Sequence, residues 1–370
     1  MSNYNSLLLT SKDRDKWNEL VENSDIKDVY HTWEYCSIYE KDYHNVAINN
    51  NLCGDACLFF HGNDQEYIIF PFLKRNLIKL GFYENLKSKF GEVFDVVSPY
   101  GYSGPIGKNI HFELLKSFLA ALNQFYIKEK IVTEFVRLHP LLKNHEFMQE
   151  HLEVTKRNKI VYLDFSPNYS QIISDMNKKT RNSIRKSEKC NLILKRSESI
   201  EDLKEFTNLY LNRMEEKNTH AYYFLPLDFF KETKEKLKEN LFLLTVKLND
   251  RMIAGALFMQ KFGFLHYHFS GSDSNYKNLN PTNLILTNAI KIGKENNLQN
   301  FLLGGGTSSS EQDQLLKFKK GFSESTADFY TYSRIIIPNL YKAICEYKAN
   351  YDLNKGLVLD NLNYFPQYRG

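Results

Sequence analysis

Along the first half of the chain, apolar positions switch between a helical and a strand-like period. Residues 11–22 place Trp17, Leu20 and Val21 on one helical face, with Ser11 as the cap. Strand-like runs follow at 55–61, 66–73 and 93–97. The next segment, Ser98-Pro99-Tyr100-Gly101-Tyr102-Ser103-Gly104-Pro105, carries two prolines and two glycines and predicts a shaped loop. A helix over 111–127 and a strand over 132–138 complete an α/β alternation.

The second half repeats the alternation. A strand at 160–165 leads into a helix over 168–189, broken near Lys178, with Ile172, Ile173, Met176 and Ile184 along one side. Helices at 200–217 and 227–240 precede a meander of strands at 241–248, 252–260 and 264–270, joined at Asn249-Asp250 and Lys261-Phe262-Gly263. Pro281 opens a helix to about residue 296. A strand at 301–303, the run Gly304-Gly305-Gly306, a short helix near 311–320, a strand near 327–337 and a terminal helix finish the chain. Both halves read as versions of one α/β unit, although no sequence repeat is visible, and the boundary falls near residue 150.

Length agrees with this division, since 370 residues exceed what one core usually organises. With 42% hydrophobic and 25% charged residues the chain is not a disordered one. The net charge of +4 is too small to demand nucleic acid as a partner, so any anion site must be local. Cys53 and Cys57 are the only close pair among five cysteines, with no second pair to complete a zinc site; no metal is expected, and a reducing compartment fits. No apolar run approaches the ~20 residues that span a bilayer, and the first residues lack a basic region before Leu7-Leu8-Leu9, so the expectation is a soluble, cytoplasmic protein.

Three segments carry candidate chemistry. At helical spacing, Lys178, Arg181, Arg185 and Lys189 form a basic stripe that suits phosphate, or simply a solvated helix face. The run from Gly304 to Ser310 lies between a strand and a helix, where backbone amides can approach an anion; a flexible connector has the same pattern. In Leu315-Leu316-Lys317-Phe318-Lys319-Lys320-Gly321, a lysine beside an aromatic ring could stabilise charge developing in acyl transfer, or the lysines could serve only as a helix end stopped by Gly321. His266 and His268 share a strand face and could supply a base. No nucleophilic triad, Cys-His pair or paired carboxylates stand out, so direct transfer between two bound substrates fits better than hydrolysis.

Taken in order, Ser98 to Pro105, Met176 to Lys186, Leu303 to Gly306, Phe318 to Phe322 and Tyr364 to Arg369 resemble the Fem-like branch of the GNAT acyltransferase superfamily over most of the chain. The resemblance implies an α/β protein with mixed sheets in two tandem GNAT-like domains, 1–150 and 151–350, followed by a tail, 351–370. It implies N-acyltransfer, aminoacyl or acetyl, to an amino group of a nucleotide- or lipid-linked cell-envelope sugar or peptide. The donor would be acyl-CoA or aminoacyl-tRNA, with no tightly bound cofactor, no metal and no DNA partner. Carried over by matching segments, Arg181 would meet an acceptor phosphate, and Phe318 and Lys319 would lie at the reacting carbonyl. Lys178, Arg185, Tyr100, Tyr102 and Gly305 are the further substrate-binding candidates. The stretch Lys277 to Asn283 lacks the glycines of a CoA-binding turn, and no long helical-hairpin insertion is visible. The competing expectations are a noncatalytic tandem module that binds an anionic glycan precursor and an RNA-binding protein, the latter disfavoured by the small net charge.

Overall fold

The computed structural model describes residues 4–43, 53–308, 310–356 and 364–370, so Met1 to Asn3 and Ser309 of the segments above lie outside the described residues. In chain order the first elements are β1 (Asn5–Thr10), α1 (Arg14–Glu22), α2 (Trp33–Ser37), β2 (Asp55–Gly62), β3 (Tyr67–Asn76) and α3 (Lys87–Phe90). Next come β4 (Phe94–Val97), β5 (Ile106–Lys108), α4 (Phe112–Lys128), β6 (Ile131–Arg137), α5 (Asn144–Met148) and β7 (Thr155–Asp164). They are followed by α6 (Tyr169–Asp175), α7 (Lys178–Lys189), β8 (Ile193–Ser197), α8 (Ile200–Glu216), α9 (Leu227–Leu237) and β9 (Leu241–Leu248). The last are β10 (Arg251–Lys261), β11 (Phe264–Ser272), α10 (Pro281–Glu295), β12 (Asn300–Gly305), α11 (Gln314–Lys320), β13 (Thr326–Ile335) and α12 (Pro338–Asn354). No helix among the described residues is long and apolar enough to cross a membrane.

The chain forms two compact units, one of residues 1–156 with 329–370 and one of residues 157–328. In the first, β1, β2, β3 and β4 pair antiparallel in succession, β4 runs parallel to β6, and β6 pairs antiparallel with β13. In the second, β8, β9, β10 and β11 pair antiparallel in succession, β11 runs parallel to β12, and β12 pairs antiparallel with β7. Both units are therefore the same mixed α/β sheet, as the fold class drawn from the sequence implied.

Chain order and sheet membership part at the sixth strand. β7 follows the first unit's α5 yet pairs with β12, placing Val161 and Leu163 in the second unit's core. β13 follows α11 yet pairs with β6, placing Tyr332 among Phe72, Tyr126 and Val136 in the first. In place of the expected division into 1–150, 151–350 and a tail, the chain leaves the first unit after Lys156 and returns to it at Phe329.

Local departures have local causes. Thr10, and not Ser11, caps the turn before α1, because the Ser11 hydroxyl is spent on Glu40 at 2.8 Å. The helix over 168–189 is two helices, since the Asn177 side chain accepts the Thr180 amide at 2.7 Å and starts α7 afresh. The edge strands β1 and β8 have no sequence counterpart above, being mostly exposed and without alternation.

The first unit holds a fully buried carboxylate, Asp95. It accepts Arg75 Nε at 2.7 Å, Arg369 Nε at 2.5 Å and Nη2 at 3.1 Å, and the Tyr368 hydroxyl at 3.2 Å. Burial alone would raise its pKa; Arg369 and Arg75 outweigh burial and hold it below the ordinary carboxylate range. Removing one partner of such a group leaves an undercompensated buried charge, which typically costs about 3–5 kcal/mol. Arg369→Met is expected to lower stability by roughly that amount in denaturant unfolding. Because the folded pKa of Asp95 is depressed, its stabilisation is full at neutral pH and is lost as pH falls through the acid range; a stability profile from pH 7 to 3 checks the sign.

Candidate active site

In the second unit the parallel pair β11 and β12 stays in register for only three residues, Phe264–His266 with Asn300–Leu302. Past that point the register of β12 shifts, Gly304 takes φ 85°, and Gly304 and Gly305 pair with Val161 and Ile160 of β7. β11 instead closes on α8, where a Cβ at Gly271 would stand 2.7 Å from the Tyr210 amide nitrogen. Leu257 and Phe258 of β10 oppose Phe269 and Tyr267, which leaves His268 as the extra residue of a β-bulge. Two neighbouring strands thus part, and the bulge lies on β11 just past its last residue paired with β12, His266. The equivalent strands of the first unit, β4 and β6, stay joined: Ser98 N bonds to Phe135 O and Ser103 N to Arg137 O.

Lys319 reaches across the gap. Asp313 caps α11, Leu316 enters the core, and Lys319 follows one turn later on the same face with 7% of its surface exposed. Its Nζ donates to Gly305 O of β12 at 2.7 Å and lies 6.0 Å from the Tyr267 ring centroid of β11. Its neighbours face outward: Lys320 pairs with Glu311 at 3.0 Å, and Lys317 donates to Gln312 Oε1. Burial first, then the nearby Lys217 ammonium, lower the Lys319 pKa to about 7, against the opposing pull of Asp313. Lys217, at the end of α8, was not a sequence candidate; in Glu215-Glu216-Lys217-Asn218 it is one more polar residue at a helix end.

The other candidates are placed as follows. Phe318 meets Phe322 edge-on at 5.5 Å and packs on the core, so it anchors α11. Arg181 folds back, its Nη1 donating to Ser174 O at 2.6 Å and to Met176 O, where it closes the end of α6. Lys178 lines a groove of about 670 Å³ with Lys179, Asn182, Ser183, Lys186, Asn278 and Asn280, beside the start of α10; Arg185 is exposed and outside that lining. The groove face is therefore offset from the stripe read in the sequence. His266 is buried, and His268 is driven to a pKa of about 3 by burial and by His266, so it stays neutral.

Tyr100 and Tyr102 belong to the first unit. The Tyr100 carbonyl accepts the Tyr35 hydroxyl at 2.7 Å, and the Tyr102 ring lies edge-on to Tyr30, His139 and Phe329. Asn144 holds their loop through Ser103 O at 2.8 Å. Within either unit, no three His, Cys, Asp or Glu side chains among the described residues converge closely enough to hold a metal ion.

Residues 174–320, from the end of α6 to the end of α11, match the family model described as an acetyltransferase (GNAT) domain. That sets the class of this stretch: residues 174–320 form a GNAT-type acyltransferase domain. Within the class the chain's fold is Fem-like. It superposes on the crystal structure of FemX over 92% of this chain and 99% of the other, at 14% identity and a TM-score of 0.66. It also superposes on the C-terminal domain of a protein described as a lysylphosphatidylglycerol synthetase, from Agrobacterium fabrum, over 87% and 92% of the two chains, at 9% identity and a TM-score of 0.54. A conserved protein of unknown function from Bacteroides thetaiotaomicron gives 14% identity and 0.53 over 90% and 99%. At these identities the likeness is one of fold. No curated protein matches the sequence significantly.

The end of α11 is locked to the start of α7 at Gly321. Asn177 N donates to Gly321 O at 3.1 Å, and a Cβ at Gly321 would stand 2.3 Å from Thr180 Oγ1. Gly321→Ala is expected to cost about 1–3 kcal/mol through this overpacking. Thermal unfolding of Gly321→Ala, and of Gly321→Ala with Thr180→Ala, checks the cause, since removing Oγ1 should restore part of the loss.

Proposed function

We propose that the chain is a cytoplasmic N-acyltransferase that moves an aminoacyl or acyl group to an amine of a nucleotide- or lipid-linked cell-envelope sugar or peptide precursor. The observation that carries this reading is the buried Lys319 ammonium, held between the parted strands with a pKa near neutrality. A neutral amine attacks the donor carbonyl, the carbonyl π electrons move onto oxygen, and Lys319 stabilises that oxyanion in a site of low dielectric. The intermediate then collapses, expelling an alkoxide or thiolate that takes a proton from Lys319, and the former amine nitrogen gives up its extra proton to restore the ammonium. Lys178, Lys179 and Lys186 in the groove supply positive charge for phosphates of a bound substrate.

Between the two donors, the aminoacyl ester is favoured. The turn into α10 has Asn280 at φ 55° with no side-chain cap, and Pro281 follows at the first helical position, where it offers no amide hydrogen. A pyrophosphate cradle of successive amides is weakened there.

The test is mass spectrometry of the purified chain with aminoacyl-tRNA or acyl-CoA and a panel of nucleotide-linked amino sugars and peptides. Acylated product from an aminoacyl-tRNA is expected; binding without product under every pairing would make the chain a noncatalytic module. Lys319→Ala should lower kcat by about 10²–10³-fold, the range for loss of one oxyanion donor. Since the charged form does the work and its pKa is about 7, wild-type kcat should decline as pH rises through neutrality. Lys319→Arg should abolish that decline, whatever its effect on the maximum.

A further inference from the structure

The Lys319 ammonium is only as well placed as the carbonyl that receives it, and that carbonyl opens a loop with little packing of its own. Gly304, Gly305 and Gly306 have no side chains, and Thr307 and Ser308 are exposed. The pairing with β7 ends at Gly305; beyond it, the stretch is held by one carboxylate. Asp313 Oδ2 accepts Thr307 N at 2.9 Å, Thr307 Oγ1 at 2.6 Å, Ser308 N at 3.0 Å and Ser308 Oγ at 3.1 Å. Its Oδ1 accepts Leu316 N at 2.9 Å and so caps α11, the helix that bears Lys319. A Cβ at Gly306 would stand 2.6 Å from Oδ1, so the backbone passes directly against the carboxylate.

We propose that Asp313 is a positioning residue for acyl transfer: by binding the 306–308 backbone with one oxygen and the first turn of α11 with the other, it fixes Gly305 O and Lys319 Nζ relative to each other. This rests on the role given above to Lys319. The division of labour is visible in the side chain itself, because a helix cap needs one oxygen, and here the second gathers four donors from the loop. Asparagine can fill the cap but presents an amide NH2 where those four donors point, so Asp313→Asn separates the two tasks. The electrostatic setting of Lys319 is otherwise made by Lys217 from α8, with the Tyr267 ring of β11 alongside.

The experiment follows the Lys319 side chain by NMR in protein carrying 13C-labelled lysine, its signal assigned by its disappearance in Lys319→Arg. A pH titration is paired with amide hydrogen exchange over the 304–308 stretch. In wild type the signal should titrate near 7. In Asp313→Asn, loosening of the 306–308 backbone beside Gly305 should let water reach the ammonium, so the titration should move up by about one unit or more, with lost protection over 306–308. A downward move with protection intact would overturn the proposal, since the carboxylate would then act only as a counter-charge. An unchanged titration would overturn it as well. If Asp313→Asn does not fold, Thr307→Val with Ser308→Ala removes two loop donors and keeps the carboxylate; the same upward move is expected, and no move overturns the proposal. No substrate is used, so these signals report the placement of Lys319 alone, and a transfer assay that finds a well-placed Lys319 inactive reports failure of the acyltransferase role separately.

Discussion

A parallel pair of strands that stops pairing halfway has to settle its loose backbone groups elsewhere, and the second unit is organised around that requirement. Each exposed amide and carbonyl needs a partner or water. β12 keeps its pairing with β7 through Gly304 and Gly305, whose lack of side chains permits the shift in register. β11 leans on α8 through Gly271 and absorbs the change in its bulge at His268. The carbonyl of Gly305 still has capacity, and Lys319 takes it up. The site is thus a consequence of strand geometry before it is a set of side chains.

The first unit shows what the same topology does without that geometry. Its β4 and β6 stay joined, and the 98–105 loop continues the pairing through Ser98 and Ser103. Gly101 and Gly104, with φ of 90° and 98°, let that loop pass against Tyr30 and Asn144. Where β12 of the second unit ends in Gly304-Gly305 and runs on to Gly306, β6 of the first is followed by Leu138-His139-Pro140, and His139 is tied to Asp28 at 2.7 Å. The sheet is a scaffold that both units share; the candidate site is a few residues at one strand end of the second.

How much of this could be read from the sequence follows from the range of each signal. The meander β9–β11 is legible because its turns and apolar runs are local, and the α6–α7 break is legible because Asn177 caps its own helix. The exchange of β7 and β13 is not, since both strands have the right pattern for either sheet and only tertiary pairing decides. Phe318-Lys319 was legible as a motif, but its roles divide in space: the ring faces the core and the amine faces the gap. Arg181 was legible as a cation, yet the carbonyls it closes at the end of α6 belong to a break whose geometry periodicity does not convey. Asp313 and Lys217 carry no local signal, because an acid before a helix and a lysine after one are ordinary helix ends.

The small net charge gains a physical sense at this point. A surface lysine is worth little to a reaction, because water screens it and its pKa keeps it charged in any setting. Burial reverses both conditions: the charge acts through a low dielectric, and the cost of holding it brings the pKa to about 7, where the proton is nearly free to leave. Lys217 pushes in the same direction as burial, and Asp313 opposes both with a smaller pull. The Asp313 carboxyl, held well below the usual range first by the Thr307 hydroxyl and then by backbone amides, stays ionised wherever Lys319 titrates. One buried cation with one fixed anion can therefore supply a tuned charge that no excess of surface lysines would give.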